Sequence, residues 1–406
     1  MNSVFLFLSV FVLLHGVVAE SRRQPLQNIF YHYFPEEDMD PPELISSRGY
    51  VAEEYKVVTE DDYVLTLFRI PPPESEKPKP VVFVQHGLVM SAADWLLNDR
   101  NHSLAFILAD QGYDVWLGNF RGSTYSRGHT RLSTKDSEFW KFSFDQMGKY
   151  DLEAMINFAL LTSGQDQLYY IGHSEGSLTA FGKFSEDIEF SKKIRHFFAL
   201  APVYYVHHCK GLVKVMGTSH LIVNYIISVV GPDEFLPDSI LNSFLAKILC
   251  AIPFMKSVCS SVMFMIVGFD PAGIDESRLP IYLAHTPAGT SSQNMIHFSQ
   301  LVRNNRCSKY DYGSAKENQK AYGQDTPPDY DVTKMQVPVS LYWGDKDWLA
   351  DPADVEQLVP LLSDSLYENN WIKGFDHVDF TWGIEAAEKV YRPIVNFIES
   401  NWNEGF

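Results

Sequence analysis

The chain has 406 residues, 46% of them hydrophobic and 14% aromatic, which suits one large α/β domain carrying an insertion, or two domains. Its formal net charge is −18, with no run of Lys or Arg. That balance argues against nucleic acid as a partner and against capture by an anionic membrane through charge alone.

Val4 to Ala19 is an apolar stretch broken only by Ser9, His15 and Gly16. It is shorter than the roughly 20 apolar residues of a membrane span, and Val17 and Ala19 stand at −3 and −1 of a cut before Glu20. Residues 1–19 therefore read as a signal peptide, and the product as a secreted protein. No later segment is long and apolar enough to span a bilayer, so no transmembrane segment is expected in the mature chain. Asn101-His102-Ser103 is a glycosylation sequon that a secretory route makes usable, so Asn101 is expected to carry a glycan. Four cysteines in an oxidising compartment should mostly pair. Cys250 and Cys259 are close enough in sequence for a small local loop, while Cys209 and Cys307 are left either as a second bridge or as free thiols.

Tyr63 to Ile70 alternates in part and reads as a strand, stopped by Pro71, Pro72 and Pro73. Val81 to Val84 is the short apolar run expected of a strand buried on both faces of a parallel sheet, and Tyr113 to Leu117 is another strand candidate. Lys149 to Leu161 has helical spacing, with Leu152, Met155, Ile156 and Ala159 on one side. Leu168 to Ile171 predicts a strand, a helix-compatible stretch opens after Ser174, and His196 to Leu200 predicts one more strand. From Val203 to Tyr330 the rhythm lapses, and the segment, rich in Ile, Phe, Met and Val, reads as an inserted, mainly helical cap. The rhythm resumes with a strand at Val337 to Trp343 and a helix with Asp351 as N-cap and Pro352 at its first position. A strand at Leu366 to Lys373 and a terminal helix at Glu385 to Ser400, with Pro393 awkwardly inside it, close the chain. The expected fold is thus α/β, with a mostly parallel, doubly wound sheet built from 20–202 and 331–406 and a cap at 203–330.

Gly172-His173-Ser174-Glu175-Gly176 is a G-x-S-x-G pattern that directly follows a predicted strand and opens a predicted helix. This is the setting of a nucleophile elbow, in which a sharp turn lifts the serine hydroxyl clear of the sheet. A serine hydroxyl needs a base, and in this arrangement the order along the chain is serine, acid, histidine. His377 is the one histidine after His297 and lies in a loop beyond a predicted strand, so it is the candidate base. Asp345, Asp347 and Asp351 all follow the strand ending at Trp343. Asp351 is better explained as a helix cap and Asp345 as a turn residue beside Gly344, which favours Asp347 and leaves Asp345 open. Two backbone N–H groups must also face the oxyanion. Glu175, next to the nucleophile, supplies one, and Leu88 in His86-Gly87-Leu88 after an early strand is the candidate for the other. No cofactor and no metal site is expected.

Several longer blocks carry a resemblance. Gln85 to Leu88, Asn101 to Asp110, Trp116 to Asn119, Ser137 to Trp140 and Tyr150 to Leu152 are among them. With the elbow, Pro287 to Ser291, Leu349 to Pro352 and His377 to Phe380, they make the chain resemble the acid lipase family of the α/β-hydrolases over nearly its whole mature length. The resemblance implies Ser174, Asp347 and His377 as a catalytic triad, with Leu88 and Glu175 as oxyanion donors. It also implies a lid within the cap, a Cys250–Cys259 bridge, and hydrolysis of triacylglycerols or sterol esters at a lipid–water interface, by a protein that is secreted or reaches a lysosome. Glu175 stands where a gastric member has glutamine, and Asp62 where the family usually has glycine. Two other readings compete: a carboxylesterase acting on small soluble esters, and a catalytically silent lipid-binding protein of the same fold.

Overall fold

The computed structural model describes residues 34–74, 79–218, 233–235 and 273–402. Eleven strands occur among them: β1 (Glu53–Val58), β2 (Tyr63–Ile70), β3 (Val81–Gln85), β4 (Asp114–Gly118), β5 (Gly128–His129), β6 (Leu168–His173), β7 (Ile194–Leu200), β8 (Glu234–Phe235), β9 (Thr290–Ser291), β10 (Val339–Gly344) and β11 (Leu366–Ile372). Eight run in the order β1-β2-β4-β3-β6-β7-β10-β11, with β5 paired to β2. From β4 to β11 every neighbouring pair is parallel, and β1, β2 and β5 add an antiparallel margin. β3, β4, β6 and β10 are buried along their whole length, as apolar runs covered on both faces must be. β11, at the edge, alternates between half-buried and exposed residues until Ile372.

The predicted helix after Lys149 is Leu152–Ser163, entered through a wide turn at Met147–Asp151, and it buries Leu152, Met155, Ile156 and Ala159 as its spacing requires. Asp351 does cap Pro352–Leu358, accepting the N–H of Ala353 at 3.0 Å. The awkward Pro393 is accommodated because another wide turn, Ala387–Tyr391, ends just before the α-helix Arg392–Trp402. Proline then falls in the first turn of that helix, where a missing N–H costs least.

The described residues of 203–330 contribute no strand to the large sheet. They hold the helices Gly211–Thr218, Leu279–His285, Ser292–Asn304 and Ala315–Tyr322, and the small antiparallel pair β8–β9. Cys209 and Cys307 are buried free thiols. Residues 1–19, the pair Cys250 and Cys259, and the apolar run around it lie outside the described residues. Asp62 sits in the β1–β2 turn with φ of 74°, a backbone setting that glycine fills without strain.

β3 has β4 on one side and β6 on the other, so the chain leaves β3 in one direction and returns on the opposite side. Such a reversal opens a crevice beyond the carboxyl ends of the parallel strands, where ligands bind in open α/β sheets.

Candidate active site

Ser174 stands at the carboxyl end of β6 with φ 53° and ψ −117°, a conformation that costs a non-glycine residue on the order of 1–3 kcal/mol. The turn is held from both sides: its N–H donates to Leu200 O on β7 at 3.0 Å, and its carbonyl accepts Ser177 N at 2.8 Å. The two glycines of the pattern are needed for space. A Cβ on Gly172 would come within 2.6 Å of Gly176 O, and one on Gly176 within 2.7 Å of Gln85 O. The helix Glu175–Glu186 can therefore start hard against the ends of β3 and β6.

The loops after β10 and β11 converge on this serine. Gly344 lets them touch, because a Cβ there would lie 2.1 Å from Phe375 O. Lys346 N donates to the same carbonyl at 3.0 Å, and Asp345 accepts the N–H of Gly374. His377 Nε2 then lies 2.8 Å from Ser174 Oγ, while its Nδ1 is 3.0 and 2.9 Å from Asp347 Oδ1 and Oδ2. Asp347 Oδ1 also accepts the N–H groups of Leu349 and Ala350 at 2.8 and 2.9 Å. With a carboxylate at Nδ1, the imidazole proton belongs there, leaving Nε2 free to take a proton from the hydroxyl. All three side chains are buried, with Ser174 only 6% exposed. The structure thus places Asp347, not Asp345, against His377; Asp345 ties the histidine loop to the loop after β10.

His86, Gly87 and Leu88 turn beside the elbow. A Cβ on Gly87 would come within 2.9 Å of Ser174 Cβ, so only glycine lets this loop approach so closely. Phe120 N donates to His86 Nε2 at 3.1 Å, which puts the ring proton on Nδ1, where it donates to Gly87 O at 2.8 Å. Burial pulls His86 down to about 4, so it stays neutral and serves as a brace. Among the described residues, the N–H groups of Leu88 and Glu175 donate to no other protein group. His173 lies behind the elbow, its Nε2 2.9 Å from the carbonyl of His377, and burial holds its imidazole well below the ordinary range. It too is neutral and donates to that carbonyl, steadying the loop.

The family model for the partial α/β-hydrolase lipase region matches residues 41–99, and that for the α/β hydrolase fold matches 80–217. The lipase lipl-1 of Caenorhabditis elegans is 46% identical over 377 residues, covering 90% of this chain and 93% of its own. The chain belongs to the acid lipase family of the α/β-hydrolases. Human gastric triacylglycerol lipase is 44% identical, and human lysosomal acid lipase/cholesteryl ester hydrolase 43%; each covers 90% of this chain and 92% of its own. A putative lipase from Sulfolobus solfataricus superposes with a TM-score of 0.58 at 14% identity, over 86% of this chain and 99% of that one, a likeness of fold.

For this acid lipase family member, sequence reasoning missed the supports of the site. His86 is named in the sequence only as a neighbour of Leu88, although its place at a strand end beside Gly87 is a signal. Neither His173, inside the elbow pattern, nor Asn294, which binds the Glu175 carboxyl, was singled out. No local spacing points to Asn294, 119 residues from Glu175.

Proposed function

We propose that the chain is a secreted lipase that hydrolyses fatty-acid esters, such as triacylglycerols or sterol esters, through an acyl-enzyme on Ser174. The observation that carries this reading is the hydrogen-bonded line from Asp347 through His377 to Ser174. Ser174 Oγ attacks the ester carbonyl carbon as its proton passes to His377 Nε2, and Asp347 stabilises the imidazolium. The carbonyl oxygen becomes an oxyanion facing the N–H groups of Leu88 and Glu175 at the start of a helix. Collapse expels the alcohol, which takes its proton from His377. Water then attacks the acyl-serine by the same route, giving a free fatty acid and restoring the hydroxyl.

The lipid character of the substrate is supported by relatives that are named triacylglycerol lipase and cholesteryl ester hydrolase. Residues 203–330 act as a cap over the sheet core; the stretch 236–267, where a lid is expected, lies outside the described residues. Secretion rests on the signal peptide at 1–19, with delivery to a lysosome as the alternative destination. Asn101 is exposed in the turn just before the helix Leu104–Asp110, as a glycan acceptor must be. No helix among the described residues is long and apolar enough to cross a membrane.

A hydrolysis panel tests the substrate class: a short-chain soluble ester, emulsified triacylglycerol and cholesteryl ester, each from about pH 4 to about pH 8. Turnover of at least one emulsified long-chain ester is expected. Turnover confined to the soluble ester would replace the lipase reading with a carboxylesterase, and no turnover at all would favour a silent lipid binder.

A further inference from the structure

Glu175 contributes its backbone to the proposed oxyanion site, but its side chain has no part in the chemistry above. That side chain is 1% exposed and accepts a hydrogen bond from Asn294 Nδ2 at 2.6 Å. Asn294 is fully buried at the first turn of the helix Ser292–Asn304, and its amide orientation is fixed. Phe144 N donates to its Oδ1 at 2.8 Å, its own N–H donates to Ser291 Oγ at 2.9 Å, and Nδ2 also reaches Thr290 Oγ1 at 3.2 Å. The amide can therefore offer the carboxyl one good hydrogen bond, where an ionised carboxylate has about four lone-pair sites to fill. Among the described residues no Lys or Arg pairs with Glu175.

We infer that the Glu175 carboxyl, held by Asn294, must carry a proton for the oxyanion to form at full rate, so that this pair sets the alkaline limit of the reaction. The inference rests on the proposed roles of Ser174 and the Glu175 N–H. In its neutral form the carboxyl adds no charge to the site. Once ionised, it places a negative charge on the residue whose N–H receives the developing oxyanion, and the two like charges oppose each other at low dielectric. The imidazolium that forms at the same time is already served by Asp347 on the far side of His377.

The surroundings favour the neutral form. Burial is the main influence, partly opposed by the Asn294 hydrogen bond and reinforced by the charge of Asp151, and together they push Glu175 to about 7. Asp151, on the turn packed beside the helix, is itself bound by Arg121, whose other partner is Asp61. The other ionisable groups on neighbouring elements are occupied or neutral. Lys183 pairs with Glu153 at 2.6 Å and Asp187 at 2.9 Å, Lys192 with Glu189 at 2.6 Å, and Lys334 with Asp331 at 3.3 Å. Lys149 lies over the Tyr150 ring, and Asp145 accepts the Tyr330 hydroxyl at 2.6 Å. His86, His173 and His297 are all held below the ordinary imidazole range by burial.

The test compares pH profiles of kcat/KM on a soluble short-chain ester for the full-length wild type, Glu175→Gln and Glu175→Met. The wild type should lose about 10- to 100-fold between pH 6 and pH 8.5, as a like charge near the oxyanion implies at an effective dielectric near 20. Both variants lack the ionising group and should hold their rate across that interval to within about threefold. Thermal midpoints give a second readout. A carboxyl raised from 4.5 to about 7 stabilises the fold below its unfolded value, and that stability is lost as pH rises to about 7. The variants should flatten that slope. An alkaline limb and a thermal slope retained in whichever variants fold would overturn the inference. A serine-directed phosphonate applied below neutrality separates the two ideas. Labelling at Ser174 with an unmoved alkaline limb overturns this inference alone, whereas labelling elsewhere overturns the proposed function.

Discussion

Replacing Asp347 with asparagine should abolish most of the activity without unfolding the chain, and the geometry says why. Asp347 Oδ1 accepts two backbone N–H groups, from Leu349 and Ala350. Only an oxygen can accept them, so the amide oxygen of the variant must take that position. Its NH2 group is then forced to the position of Oδ2, the nearer oxygen at 2.9 Å from His377 Nδ1 against 3.0 Å for Oδ1, which the two backbone N–H groups already occupy. Two donors cannot face each other there, so the imidazole shifts its proton to Nε2, the atom that must accept the Ser174 proton. The equivalent change in a serine protease lowers kcat about 10⁴-fold, or roughly 5.4 kcal/mol of barrier. Asp345→Asn removes a charge from a loop contact and should cost less than about tenfold. The assay is kcat on a soluble ester for both variants, with near- and far-ultraviolet circular dichroism to check folding. If Asp345→Asn proves the more damaging, the partner of His377 is misassigned and the tautomer argument fails.

Gly87→Ala should lower kcat by about 10²–10³, because its Cβ would lie 2.9 Å from Ser174 Cβ and push the Leu88 N–H away from the oxyanion; an unchanged kcat in folded protein would remove Leu88 from the site. Trimming apolar side chains between about 236 and 267 should reduce turnover of emulsified long-chain esters more than that of soluble ones, and equal losses would argue against a lid there. Non-reducing peptide mapping of secreted protein should find Cys250 linked to Cys259, a bridge worth roughly 2–4 kcal/mol at most; two free thiols would reject the pairing.

The sheet was legible because its central strands are apolar runs punctuated by proline and glycine, a signal that survives without any partner in view. β2 falls on Tyr63 to Ile70 as its alternation predicts, β11 lies within its predicted stretch, and β10 runs one residue past its own, to Gly344. β1 was not read as a strand: four of its six residues are Glu53, Glu54, Tyr55 and Lys56, and it gains its place by pairing along β2. At the site, local order picked out Ser174 and His377 and left Asp345 against Asp347 open, because two carboxylates two residues apart look alike in sequence. What separates them is a tertiary fact, that Phe375 and Gly374 return beside Gly344 and occupy Asp345. The bracing by His86 and His173 was hidden for the same reason, since its partners Phe120 and His377 come from other loops.

The most direct test of the account is to trap the acyl-enzyme. A slowly deacylated ester should be mixed with the full-length protein, quenched in acid during turnover, and digested for mass spectrometry. The account predicts that the acyl group is found on the peptide bearing Ser174, and that Ser174→Ala, though folded and secreted, shows neither the adduct nor hydrolysis above background. An acyl group on a different serine, or an active alanine variant, would contradict it.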